Sequence, residues 1–135
     1  MKRLKQYSLD VPLVVYVGKI KIALNLNNYR NCHYYLSNKA KIVFKEKIYP
    51  KLQSLPRFKR ITLITYTWFP QTQHLSDISN WCSVVDKFFC DALVSAEKIK
   101  DDNFTMIQAV NYRYGAFCPD NPRMTVTIKG YTYET

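Results

Sequence analysis

Glycine is scarce in this sequence: three residues in 135 leave no Gly-rich loop able to wrap a phosphate. Histidine is scarcer still, with only His33 and His74, far apart in the chain. The four cysteines, Cys32, Cys82, Cys90 and Cys118, form no CxxC pair. The closed ligand spacing of a zinc module is therefore missing, and reduced thiols are expected. No apolar run approaches the ~20 residues needed to cross a bilayer, so no membrane partner is expected. The opening, MKRLKQYSLDVP, has no apolar signal-peptide core, and a cytoplasmic location is the expectation. Acids are few as well: ten Asp and Glu face twenty Lys and Arg, giving a net charge of +10.

What is present is a chain rich in apolar (47%) and aromatic (15%) residues, long enough for one domain with a real core. We expect a single domain over residues 1–135, with 1–10 as a flexible arm. The basic balance points to a polyanion, nucleic acid above all. Against that background the stretch Asp77–Asp102 stands out. It holds six of the ten carboxylates (Asp77, Asp86, Asp91, Glu97, Asp101, Asp102) and only Lys87, Lys98 and Lys100 among the cations. Its net charge is −3, and the rest of the chain carries +13. Clustered carboxylates repel a polyanion unless a cation sits between them, and a divalent metal fills that role.

The periodicity predicts an α+β domain: a mixed sheet with two main helices in the order β-α-β-α-β-β. Val11 to Leu24 reads as a strand bent at Gly18. Residues 25–41, NLNNYRNCHYYLSNKAK, read as polar surface, with Ser37 or Asn38 capping a lysine-rich helix from Asn38 to Leu52. Ile61 to Phe69 reads as a buried strand, Asn80 to Leu93 as a helix, and Thr105–Tyr114 and Arg123–Tyr131 as strands paired in a hairpin.

On the Asn80–Leu93 helix, Trp81, Val85, Phe88 and Ala92 share one face, with Phe89 and Ile78 at its edge. Asp77, Asn80, Val84, Lys87 and Asp91 recur at spacings of three and four beside it, and Asp86 points elsewhere. Phosphodiester hydrolysis needs a nucleophilic water and neutralisation of charge, which carboxylate-bound Mg²⁺ supplies. Asp77, Asp91 and Asp102 are the candidate ligands, with Asp101 interchangeable with Asp102. Mn²⁺ is expected to substitute. Lys87 either meets the phosphate or pairs with Asp91 one turn on. Asn80 either contacts a ligand or phosphate or caps its helix. Arg30, Lys39 and Lys41 suit phosphate contacts, and Tyr29, Tyr34 and Tyr35 either stack on an exposed base or pack.

Three blocks together resemble the RusA-like Holliday junction resolvases, small endonucleases common in phages and prophages. They are Leu24-Asn25-Leu26-Asn27-Asn28-Tyr29-Arg30-Asn31 with Asn38–Lys41; Asp77-x-x-Asn80 with Lys87-x-x-x-Asp91-Ala92-Leu93; and the Asp101-Asp102-Asn103 step. The resemblance spans roughly residues 19–130. It implies a homodimeric, Mg²⁺-dependent α+β endonuclease that recognises four-way junctions and nicks two strands symmetrically, in the cytoplasm of a bacterial host cell. The family's acids would fall on Asp77 and the Asp101–Asp102 step, its lysine on Lys87, and Asn28 would join the DNA-binding set. One departure is Ser79, where the family pattern Asp-x-Asp-Asn has a second acid; the Asn80-to-Lys87 interval is also longer by about one turn. Asp91 is the expected substitute, with Asp86 next. The alternatives are a protein that holds branched DNA without cutting it, and a basic protein-interaction module.

Overall fold

The central strand explains the fold best. In the computed structural model, which describes residues 3–133, Phe58–Phe69 forms β4, numbered by its place in the chain. Its buried residues are Phe58 and Ile61, then Ile64, Tyr66 and Trp68 at a strict spacing of two. Register shifts between Phe58 and Arg60 and between Ile61 and Leu63 reset the phase. Gly130 lies opposite this irregularity. A Cβ there would stand 2.7 Å from the Arg60 carbonyl oxygen, so only glycine fits.

β4 is flanked by β6 (Arg123–Thr132), antiparallel, and by β5 (Val110–Tyr114), parallel. β1 (Leu4–Val11) pairs antiparallel with the far side of β6, giving a mixed sheet ordered β1-β6-β4-β5. β2 (Val14–Val17) and β3 (Ile20–Ala23) form a separate hairpin, turned by Gly18 at φ 61°, a value that favours glycine. Three helices complete the domain: α1 (Leu26–Asn31), α2 (Tyr34–Gln53) and α3 (Ile78–Ser95).

The α+β class, the mixed sheet and the two main helices agree with the sequence reading. Several details differ. Leu4–Val11 is a strand rather than a loose arm: Tyr7 and Leu9 lean into the core while Gln6, Ser8 and Asp10 face solvent, an alternation hidden by the cluster of lysines at the start. Met1 and Lys2 lie outside the described residues. The last two strands are not hairpin partners, because β5 and β6 lie on opposite sides of β4. α2 begins four residues earlier than expected, at Tyr34. The strand expected from Thr105 is shorter, starting at Val110 after an isolated bridge from Ile107 to Ile61.

One face of the sheet carries the core. Met124, Val126 and Ile128 of β6 join Ile64, Tyr66 and Trp68, and α3 covers them with Val85, Phe88, Phe89 and Leu93. α2 packs on α3 through Phe44, whose ring meets Phe88 edge-on at 5.7 Å. Truncating such a buried ring costs about 3–5 kcal/mol. The opposite face is polar and carries Thr65, Thr67, Thr127 and Lys129. All four cysteines are free thiols. No described helix is long and apolar enough to cross a membrane.

Candidate functional site

The asparagine-rich segment builds helix starts. Asn25 Oδ1 accepts the Asn28 N–H at 2.9 Å and so opens α1. His33 Nδ1 accepts the Tyr35 N–H at 3.2 Å and opens α2. A second acceptor reaches α1 from far along the chain: Asn80 Oδ1 takes the Leu26 N–H at 3.0 Å. The Asn80 amide also donates to Ser76 Oγ at 3.0 Å. Asn80 therefore does not cap its own helix; it ties the start of α1 to the start of α3.

Around this tie lies a polar cleft of about 390 Å³, with Asn27, Arg30, Asp77, Ser79 and Asn80 among its lining residues. Asp77 is the N-cap of α3 by its backbone, since its carbonyl oxygen accepts the Asn80 N–H at 3.0 Å. Its carboxylate makes no capping hydrogen bond and is exposed. Asp77, Ser79 and Asn80, at the start of α3, line this opening, and a helix start favours an anion nearby. Beside the cleft, Tyr29 rests edge-on against Phe88 at 6.2 Å, and Lys87 Nζ stands 5.4 Å from the Tyr29 ring centroid. Asn28 and Arg30 are exposed on the same short helix. Asp77, Asn80 and Arg30 thus line one cleft, and Asn28 and Tyr29 belong to the short helix beside it. Lys87 is ten residues on from Asp77, about 15 Å along α3, and meets Tyr29 rather than the cleft.

The other predicted acids do not join them. Asp77 and Asp91 sit at opposite ends of α3, fourteen residues apart. At about 1.5 Å per residue that is about 21 Å along the axis, whereas ligand oxygens must lie ~2.1 Å from a single Mg²⁺. Asp91 instead pairs with Lys45 of α2 at 3.0 Å, a half-exposed bridge worth under about 1 kcal/mol. The sequence stripe aligned these side chains on one face correctly, but shared face is not shared height. Asp101 is engaged locally, accepting the Asp102 N–H at 2.7 Å and the Asn103 amide at 3.0 Å. Asp102 follows α3 by seven residues and is exposed. The Asp77, Asp91 and Asp101–Asp102 set therefore does not fit one ion within a single chain. Among the described residues no group of three or more His, Cys, Asp or Glu converges.

Asp86 has a structural place of its own. Tyr66 Oη donates to its Oδ1 at 2.7 Å and Tyr112 Oη to its Oδ2 at 3.1 Å, with the Cys90 thiol at 3.2 Å. Burial raises the Tyr66 phenol well above its ordinary value, with Cys90 and Asp86 adding to the effect. Tyr112 and Cys90 are raised for the same reason, burial first and the Asp86 charge second. The carboxylate accepts from three donors, two of them tyrosines of the sheet, so it anchors α3 to the sheet. A tyrosine inside the buried strand ITLITYTWF was the signal for such a partner, because a buried hydroxyl needs one.

The expected lysine row of α2 divides. Lys39 stands 4.6 Å from the ring centroid of Tyr35, on the exposed start of the helix. Lys41 is half-buried, 6.0 Å from the centroid of Phe88. Lys45 is taken by Asp91, and Lys51 Nζ donates to the Asp10 carbonyl at 2.6 Å. Tyr34 and Tyr35 are exposed, at 73% and 56%.

A second opening, missed in the sequence, adjoins the cleft through Ser76. Its volume is about 490 Å³ and its walls are mostly apolar, including Trp68 and Trp81, whose rings stack 6.1 Å apart at 21°. Trp81, on the same helix face as Val85, Phe88 and Ala92, is half-buried where they are buried, and it lines this pocket. Trp68 Nε1 is buried without a hydrogen-bond partner, at a cost of about 1–3 kcal/mol. No protein-family model matches this chain, and no curated protein matches it.

Proposed function

We propose that this chain is a structure-specific endodeoxyribonuclease for branched DNA, acting as a homodimer with Mg²⁺. The observation that carries the reading is the hydrogen bond between Leu26 and Asn80. It brings two of the three blocks that resemble the RusA-like resolvases to one cleft, with Asp77 and Arg30 in its lining. The cleft mixes a free carboxylate with amide and guanidinium groups at a helix start. Phosphate is attracted by the helix start and Arg30 and repelled by Asp77, and a divalent cation between carboxylate and phosphate removes that repulsion.

Mg²⁺ commonly takes one or two protein carboxylates and completes its shell with water and substrate phosphate. Asp77 alone meets that minimum; Asp91, Asp101 and Asp102 do not share its ion. The metal would neutralise phosphate charge and acidify a bound water. Arg30 and Asn27 orient the phosphate from the cleft wall. Lys87, held against Tyr29 about 15 Å along α3 from Asp77, supplies a cation for the DNA backbone beyond the cleft. Lys39 and the exposed tyrosines at the start of α2 extend the contact along a DNA arm. Two equal sites in a two-fold dimer suit two equivalent strands of a junction.

A second reading has its own support. Ser79 replaces the family's second acid, and Asp91, its expected substitute, lies about 21 Å away along α3. A protein that holds branched DNA without cutting it fits those facts. The deciding experiment is cleavage of an immobile four-way junction beside linear duplex, with Mg²⁺, with EDTA, and with Asp77→Asn. Paired nicks in the junction alone, lost with EDTA and with the variant, support the nuclease. Tight, metal-independent binding without nicks, strengthened by Asp77→Asn, replaces it with the holder. Binding to neither DNA, or binding that responds little to salt, removes both readings, because phosphate contacts give a steep salt dependence.

A further inference from the structure

We propose that the pocket lined by Trp68 and Trp81 receives an unpaired base of the bound DNA, a reading that rests on the branched-DNA function above. Four observations point the same way. The pocket holds about 490 Å³, within the ~300–1,000 Å³ of small-ligand sites and too small for a duplex end. Its aromatic wall is a stacked indole pair, 6.1 Å apart and within 21° of parallel, so a base would extend the stack from outside rather than enter between the rings. Pro12, Pro70 and Pro122 close other sides with rigid apolar surface, so the site prefers a planar, poorly hydrated group. Lys21 and His74 line it as well and supply a cation and a hydrogen-bonding ring for the charged end of a nucleotide.

The neighbouring cleft selects among planar ligands. Ser76 belongs to both openings, so a strand whose phosphate lies by Asp77 and Arg30 passes the mouth of the pocket. Bases at a branch point are the ones free to leave the stack, and extrusion is cheapest where pairing is already interrupted. Aromatic stacking accepts any of the four bases, which suits recognition by structure rather than by sequence. Trp68 is 5% exposed, and its Nε1–H is the one buried side-chain nitrogen or oxygen among the described residues without a partner. Base edges carry acceptors that would satisfy it.

The chain has two tryptophans, and both line this pocket, so tryptophan emission, excited selectively away from the eleven tyrosines, reads this place alone. The test uses the full chain and a four-way junction carrying 2-aminopurine either at the branch or in the middle of an arm. The expected result is a change of 2-aminopurine emission on binding for the branch position alone, with matching quenching of tryptophan. Trp81→Ala abolishes that change and weakens junction binding roughly five- to hundred-fold, the range for one stacked base. Trp81→Phe, which keeps an aromatic face and the fold, retains it. If wild-type protein binds the junction with no emission change at the branch, the base pocket is overturned and the branched-DNA reading stands. If no junction binding occurs at all, both fall together.

Discussion

The backbone N–H of Leu26 donates to Asn80 Oδ1 at 3.0 Å, across 54 residues of sequence. This bond fixes the angle between α1 and α3 and so sets the shape of the cleft that holds Asp77 and Arg30. Asn80→Ala frees the helix-start amide and should cost about 1 kcal/mol in urea unfolding. Asn80→Asp keeps the acceptor, and the Ser76 hydroxyl can turn to donate to it. That variant should fold within ~0.5 kcal/mol of wild type yet bind DNA more weakly, because it adds a charge to the cleft. Equal stability of the alanine variant and wild type would show that the bond positions nothing.

Asp86 is predicted to matter for stability rather than chemistry. Asp86→Ala leaves the buried Tyr66 hydroxyl without its carboxylate and should cost about 1–3 kcal/mol. Tyr66→Phe in the same background should recover part of the loss, since the stranded donor is then gone. A simple sum of the two single effects, measured by chemical unfolding, would contradict a shared bond.

The scaffold was readable because its elements are long and periodic. Ile61–Phe69 and Arg123–Tyr131 announce strands through β-branched and aromatic runs, and Val85, Phe88 and Ala92 mark the buried face of α3. What failed did so for physical reasons. Helical spacing reports direction around an axis but not distance along it, so Asp77 and Asp91 looked like neighbours. The pairing of β5 is a tertiary fact: a five-residue strand can join β4 in parallel or β6 in a hairpin, and nothing in VNYRY decides between them. The tryptophan pocket assembles from five separate segments, and no window of sequence contains it.

The end of α3 stores a small strain. Glu97 has φ 59°, and its N–H reaches the Val94 carbonyl at 3.0 Å while the Lys98 N–H reaches Leu93 at 2.9 Å. These bonds form a Schellman cap with glutamate at the position glycine prefers. Glu97→Gly should raise stability by about 0.5–1 kcal/mol in thermal or urea unfolding. A loss of stability would mean that Glu97 makes contacts outweighing its backbone cost.

Alkaline pH should weaken the fold through the buried thiols. Burial pushes Cys82 from its ordinary 9.0 up to about 12. Between those values the unfolded chain has released the proton and the folded chain has kept it. Stability from this group is therefore complete below 9.0 and is lost progressively as pH rises toward about 12. Cys90 and Tyr66 shift the same way. The urea midpoint should fall over that window, and less steeply in Cys82→Ala. In native protein a thiol reagent should label Cys32 and Cys118, which are half-buried, while Cys82 and Cys90 wait for unfolding. Fast labelling of all four would refute the buried assignment.

The sharpest functional contrast lies between two aspartates on one helix. If the cleft is the reactive centre, Asp77→Asn removes its sole carboxylate and should lower junction cleavage at least ~100-fold, since one preorganised charge at a phosphate is worth several kcal/mol. Asp91→Asn, about 21 Å away along α3 and tied to Lys45, should change cleavage by no more than a few-fold and stability by under about 1 kcal/mol. Lys45→Ala should then mimic Asp91→Asn in unfolding, because each breaks the same bridge. Equal loss of cleavage from both aspartate variants, with folding intact, would mean that the two residues serve one site. That site would then have to form between two chains, because within one chain the rise of the helix keeps them apart.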